Sequence, residues 1–205
     1  MVVQKGIVEI LHFTTNLGLL GILASDAVKS RDLLEKDKYL EFIFKPNANF
    51  RRDLAWTNHV NLSITRVNPA FFEISRRWHK WEEVWWCILS FNPEILTHRD
   101  VVFTTTNNIY TGCHRGKGAG GLNALFADPV ERYSSIEPAR RTAQHRDNWT
   151  TCEQAEVLYP LSLSTEFVER VYFAKQEQLY TAAAQIETLG HDSIELVLAP
   201  EMFGL

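Results

Sequence analysis

In the run TTCEQAEVLYPL (150–161), Gln154 and Glu156 stand two residues apart. Alternate residues of a β-strand face the same way. A strand over 154–159 therefore sets an amide beside a carboxylate, together with Leu158, and turns Ala155, Val157 and Tyr159 to the other face. A carboxylate stabilises positive charge that develops at a reacting carbon, and it accepts protons. An amide offers a donor and an acceptor at once. Arg51 and Arg52 are adjacent in the polar run 47–58 and carry the planar fork that grips phosphate oxygens in pairs. His12 lies near the end of an apolar run, two residues before Thr14. Taken singly, each has an ordinary structural role: a histidine at a strand end, surface arginines, the polar face of an edge strand. The order in which they occur along the chain is what links them.

The elements that must position these groups follow from the hydrophobic pattern. GIVEILHFT (6–14) predicts a strand, and NLGLLGILAS (16–25), with leucines at helical spacing, a short helix after it. HVNLSITRV (59–67) alternates: Val60, Leu62 and Ile64 on one face, Asn61, Ser63 and Thr65 on the other. NPAFFEISRRW (68–78) predicts a helix with Pro69 near its start. EVWWCILSF (83–91) has the apolar density of a central strand, and RDVVFTTTNN (99–108) holds a shorter one. From 109 to 148 the pattern breaks, apart from a helical patch over 120–133; long irregular stretches in compact domains are commonly functional. STEFVERVYFAKQEQLYTAAAQIETLG (164–190) has a capping residue, Ser164 or Thr165, ahead of an amphipathic run, although VERVYFA within it also fits a strand. SIELVLAPEMF (193–203) has strand character. Strands and helices mix without a sustained βαβ alternation, which predicts an α+β fold over 1–205 as a single domain.

Composition narrows the function classes. The chain has 205 residues, 45% hydrophobic and 12% aromatic, far from the composition of disordered chains. No apolar run reaches the ~20 residues of a membrane helix. The first residues, MVVQKGIVEILHF, lack a signal-peptide pattern, so the expected location is cytoplasmic, with no membrane partner. Three widely spaced cysteines fit reduced thiols. The net charge of −4 argues against a whole-protein footprint on duplex DNA, but local basic clusters occur at 51–53, 75–80, 114–118 and 139–146.

Two motifs are set aside. GKGAGG (116–121) matches a dinucleotide fingerprint in form but lacks a strand feeding it, and is expected to be a flexible glycine loop. Cys113-His114 has no partner pair at metal-ligand spacing, so no metal is expected.

Four segments in order resemble the DarT family: LHFTTNLGLLGIL, HVNLSITRVNPAFF, VVFTTTNN and TTCEQAEVLYPLSLSTEFVERVYF. The second, third and fourth are most similar to its guanine-directed branch. The resemblance spans most of 7–173. It implies an ADP-ribosyltransferase fold, with two packed mixed or antiparallel sheets around an NAD cleft and flanking helices. It further implies an NAD-dependent mono-ADP-ribosyltransferase acting on a base, guanine, of single-stranded DNA. Such an enzyme serves as a toxin in a toxin–antitoxin or phage-defence system, opposed by an antitoxin that can carry a macrodomain.

On that reading Glu156 stabilises the oxocarbenium-like charge as the nicotinamide–ribose bond breaks, and Gln154 meets the base. Arg51 or Arg52 meets the pyrophosphate, with the choice between them open. His12 and Thr14 hold the ribose and adenosine side of NAD, and Ser63 and Thr65 line the nicotinamide pocket. Arg115, Lys117, Arg140, Arg141 and Arg146 offer phosphate contacts, with Trp149, His114 and Tyr133 as stacking surfaces, the combination a single-strand groove uses. The alternatives are the same chemistry on RNA, transfer to a protein side chain, and a non-catalytic nucleic-acid-binding module.

Overall fold

The computed structural model describes residues 2–36, 56–78, 83–133 and 136–204. Arg51 and Arg52 lie outside the described residues, as does most of the polar run 47–58. Among the described residues, ten strands form a large mixed sheet and a small one. They are β1 (Ile10–Thr15), β2 (Ala27–Lys29), β3 (His59–Ile64), β4 (Trp86–Phe91), β5 (Val102–Thr104), β6 (Arg115–Lys117), β7 (Glu156–Pro160), β8 (Ser162–Ser164), β9 (Val168–Phe173) and β10 (Glu195–Leu198). The large sheet has the order β10-β9-β4-β1-β3-β7-β5-β6, and β2 pairs with β8. All pairings are antiparallel except β9 with β10.

The α-helices among the described residues are α1 (Asn16–Ala24), α2 (Arg31–Lys36), α3 (Pro69–Trp78), α4 (Gly118–Ala124) and α5 (Gln176–Thr188). One face of the sheet packs Ile10, Leu62, Leu89 and Val157 against Leu19 and Ile22 of α1 and Ala182 and Ile186 of α5. The other face packs Leu11 and Ile88 against Phe72 of α3 and Phe203. β4 sits between β1 and β9 with Cys87 to Phe91 all buried, the environment its apolar run demands. In β3, Val60, Leu62 and Ile64 are buried in strict alternation, as the sequence pattern predicts.

Two expectations change and one open reading resolves. Of the alternatives within 164–190 the strand holds over VERVYF: a single 3-10 turn (Thr165–Phe167) leads into β9, and α5 follows. Ser164 does cap, its Oγ accepting from Glu166 N at 3.2 Å, but what it caps is that short turn. Val168, Val171 and Phe173 are buried where β9 ladders to β4 and β10 on both sides, and this β-branched and aromatic pairing overrides local helical preference. The glycine segment is not a flexible loop but the end of β6 and the start of α4. A Cβ at Gly121 would stand 2.4 Å from the Gly116 carbonyl carbon, so these glycines permit close backbone approach. Finally, β7 begins at Glu156 rather than at Gln154, which lies in the turn before it.

Candidate active site at the fork of the sheet

β1 and β3 pair only at Ile10 with Ile64 and Leu11 with Ser63. Beyond that, β1 continues on β4 through Thr15, while β3 continues on β7. The sheet therefore splits, and a cleft opens in the fork. Its walls carry His12 and Thr14 from β1, Gly18 from α1, Asn61 and Ser63 from β3, and Glu156 from β7. His12 Nδ1 lies 3.0 Å from the Asn61 carbonyl oxygen, a side-chain contact made just where the backbone ladder has stopped. Thr15 ends β1 and caps α1, its Oγ1 accepting from Gly18 N at 3.2 Å. A Cβ at Gly18 would sit 2.0 Å from Thr14 Oγ1, so only glycine lets the helix start this close to the cleft wall.

Glu156 is held at both oxygens. Oε1 accepts from Asn61 Nδ2 at 3.0 Å, and Oε2 accepts from the Asn108 backbone N–H at 2.9 Å. In the β3–β7 register Asn61 faces Leu158, so Asn61 and Glu156 are diagonal neighbours across the strands. Asn108 arrives from the loop between β5 and β6, which folds back over the sheet. Thr104, Thr105, Thr106 and Asn108 are buried there. Cys113 Sγ lies 3.6 Å from Thr106 O, and Cys152 Sγ donates to Thr106 Oγ1 at 3.3 Å. Burial is the main cause that pushes the Cys113 thiol up from its ordinary range. Cys87, Cys113 and Cys152 are all free and buried, and act as packing groups. Among the described residues no cluster of histidine, cysteine and carboxylate side chains is able to hold a metal ion.

Both the sequence and the fold of the chain have known relatives. The sequence family described as "ssDNA thymidine ADP-ribosyltransferase, DarT" matches residues 11–204. The chain belongs to the DarT family of ADP-ribosyltransferases. The fold agrees with that of Thermus sp. 2.9 DarT in complex with NAD+, at a TM-score of 0.65 and 10% identity over 96% of this chain and 97% of that one. The same DarT in complex with ADP-ribosylated ssDNA gives 0.65 and 12% identity over 97% of each chain. Thermosipho africanus DarTG in complex with ADP-ribose gives 0.58 and 14% identity, covering 97% of this chain and 51% of that one. No protein with a curated description matches the sequence.

Within this DarT fold the other predicted site residues are dispersed. Thr65 lies past the end of β3 with a left-handed φ of 62° and is not among the residues that line the cleft; its Oγ1 is buried without a hydrogen-bond partner. Gln154 is half-buried in its turn, and its Oε1 is likewise buried and unsatisfied. The Arg115 guanidinium is turned onto the β5–β6 loop: Nε donates to Asn108 Oδ1 at 3.0 Å, NH1 to Cys113 O at 3.3 Å, and NH2 to Asn108 O. Lys117 pairs with Asp100 at 2.7 Å on the surface. Arg141 ties its own loop together through Trp149 O and Arg146 O, both at 2.9 Å, while Arg140 is exposed.

Trp149 is flanked by two cations, Arg66 at 4.6 Å and Arg146 at 5.2 Å from its ring centroid. Arg66 is shifted down from the ordinary arginine value, chiefly by burial and against the pull of Glu153. Tyr133 stacks at 5.9 Å on Tyr110. Asn61, Asn108 and Arg66 are the residues that sequence reasoning missed. Asn61 shares the polar face of β3 with Ser63, so the alternation contained its signal; Asn108 closes the segment VVFTTTNN, whose pattern assigned it no role, and nothing local marks Arg66.

Proposed function

We propose that this chain cleaves the nicotinamide–ribose bond of NAD and transfers ADP-ribose to a base of single-stranded DNA. The observation that carries this reading is the Glu156 carboxylate on the wall of the fork, fixed through both oxygens by Asn61 and Asn108. NAD occupies the fork. His12 and Thr14 face its ribose and adenosine side, Ser63 the nicotinamide, and Arg51 or Arg52 the pyrophosphate. As nicotinamide departs with the bonding electrons, positive charge grows at the anomeric carbon. A negative charge already oriented toward that carbon stabilises it without reorganisation at the moment of reaction. Glu156 then accepts the proton displaced as a base nitrogen attacks.

Gln154 is assigned to the target base: its amide turns out from the position in which Oε1 is buried and accepts from the ring N–H of a nucleobase. The base is guanine, on the strength of the segments at 59–72, 101–108 and 150–173. The family description names thymidine, whose ring N–H offers a comparable donor. The strand runs past Trp149 with its flanking Arg66 and Arg146, and past Arg140, a stacking surface set among cations. Arg115, Lys117 and Arg141 are already engaged within the chain, which makes them weaker candidates for phosphate contact. In the cell the reading is that of a cytoplasmic toxin opposed by an antitoxin, with a macrodomain as the partner able to remove the modification. Among the described residues, no helix is long and apolar enough to cross a membrane.

The test is intact mass of DNA and RNA oligonucleotides of each base after incubation with NAD. Addition of one ADP-ribose to guanine-containing single-stranded DNA, lost in Glu156→Ala, is the expected result. Addition to thymine moves the base assignment, and addition to RNA alone replaces the polymer. No consumption of NAD sinks the reading.

A further inference from the structure

Glu156, Thr104 and Arg115 form one row across three strands. Thr104 of β5 is paired with Glu156 of β7 on one side and with Arg115 of β6 on the other. Directly paired residues of antiparallel strands point to the same face, so the carboxylate and the guanidinium project on one side, two strand spacings or roughly 9–10 Å apart at the backbone. That separation is long for an ion pair at the level of the backbone, and the space above the row is occupied by Asn108. Thr104 Oγ1 joins the row to the loop, donating to Thr106 O at 3.1 Å and lying 3.3 Å from Glu156 O.

The contacts at Asn108 run in one direction. Arg115 takes both of its acceptors, Oδ1 through Nε at 3.0 Å and the backbone carbonyl through NH2. NH1 donates to Cys113 O at 3.3 Å in the same loop. With side chain and carbonyl both gripped, the Asn108 residue has little freedom left, and its N–H is aimed at Glu156 Oε2 at 2.9 Å. Asn108 is 3% exposed, so a wrongly oriented peptide here would leave buried polar atoms unpaired. The fork geometry is particular to arginine: a lysine ammonium is a point charge and cannot hold a carbonyl and an amide oxygen at fixed separation.

We propose that Asn108 and Arg115 are positioning residues for Glu156. Arg115 fixes the Asn108 peptide, and the Asn108 N–H fixes the carboxylate oxygen, so that Glu156 stands oriented before substrate arrives. The inference deepens the proposed transferase reading and rests on it for its catalytic consequence. It assigns to Arg115 a task inside the protein, where the sequence pattern indicated a phosphate contact.

Arg115→Lys and Arg115→Gln are compared with the unaltered chain in three measurements. The first is hydrogen exchange and proton shift of the Asn108 amide by NMR. The second is nicotinamide release from NAD without DNA. The third is transfer to an oligonucleotide as kcat and KM at two salt concentrations. The expected result is a protected, downfield Asn108 amide that loses protection and moves upfield in both variants. With it, kcat for nicotinamide release and transfer falls about 10²-fold, the scale on which a misplaced catalytic group costs rate. KM for the oligonucleotide and its salt dependence stay unchanged, and lysine does not rescue. An unchanged kcat with a raised oligonucleotide KM and a salt slope smaller by about 0.7 overturns the inference in favour of a phosphate contact. An Asn108 amide that exchanges freely in the unaltered chain also overturns it. Loss of melting temperature in Arg115→Gln is controlled by Lys117→Gln on the same short strand. Absence of NAD consumption in the unaltered chain defeats the transferase reading, while the amide measurement still decides whether the clamp exists.

Discussion

Asn61 joins His12 to Glu156. Its backbone carbonyl lies 3.0 Å from His12 Nδ1, and its Nδ2 donates to Glu156 Oε1 at 3.0 Å. A carbonyl only accepts, so this contact sets the proton of a neutral His12 on Nδ1. One residue of β3 thus holds a group on each arm of the fork, and both groups take their orientation from the same backbone position.

Replacing that amide by a carboxylate is the sharpest probe of the site. Asn61→Asp keeps the shape and sets a second negative charge at hydrogen-bond distance from Glu156. Like charges this close cannot both ionise freely, so the pair titrates at higher apparent pKa values. The expected outcome is a pH–rate profile for nicotinamide release whose acidic limb moves to higher pH, with reduced activity at neutrality. An acidic limb that does not move argues that Glu156 is not the group being titrated.

Gly18→Ala tests how tightly the first helix sits on the cleft wall. The added Cβ meets Thr14 Oγ1 at 2.0 Å and Thr14 Cβ at 3.3 Å. Rotation of Thr14 relieves the first contact and leaves the second. A cost of about 1–3 kcal/mol in stability is expected, the range for overpacking. Because Thr14 lines the fork, a raised KM for NAD is expected with it. Denaturant unfolding and NAD titration read the two effects separately.

His59 lines the cleft, with Nδ1 2.7 Å from Asn58 Oδ1 and its ring edge-on to Trp56 at 5.0 Å. Burial first, and then the charge of Lys117, lower it from the ordinary value of 6.5. The unfolded chain therefore takes up this proton at a higher pH than the folded chain does. The stability contributed by the neutral form is complete above 6.5 and is lost as the pH falls from there through the folded value. His59→Gln is expected to flatten the fall of the urea midpoint between neutral and mildly acidic pH. An unchanged slope would remove His59 as its source.

The Trp149 surface separates strand binding from chemistry. Trp149→Ala is expected to weaken single-stranded DNA binding by roughly 1–3 kcal/mol, the scale of one base stacked on an aromatic ring. Arg66→Gln is expected to lower the salt slope by about 0.7. Nicotinamide release from NAD alone should be untouched in both, by fluorescence anisotropy and product assay respectively. Loss of the basal reaction in Trp149→Ala would place the ring at the NAD site instead.

Much of the framework is legible in the sequence because periodicity reports burial directly. The alternation of 59–64 encodes one buried face, the dense apolar run of 86–91 a strand buried on both, and the leucines of 16–24 a helix packed on the sheet, and each forms the predicted element. Glu156 is legible as a strand carboxylate, and the structure sets it at the start of β7 on the cleft wall. Where the sequence misleads or leaves a choice open, a nonlocal pairing decides. VERVYF fits either a strand or the amphipathic run around it and becomes β9 because β4 and β10 supply ladders on both of its sides. The glycines at 116–121 look like a loop and instead let two backbones touch.

The sequence by itself determined the kinds of group available for chemistry and the faces that must be buried, since both are set by residue type and by periods of two and 3.6. Only the tertiary structure decided which groups meet. Asn61 reaches Glu156 across 95 positions of chain, and Asn108 reaches it across 48. The first contact exists because β3 pairs with β7, and the second because the β5–β6 loop folds back over the sheet. Strand order and loop path follow from the packing of the whole core, which no short stretch of sequence contains.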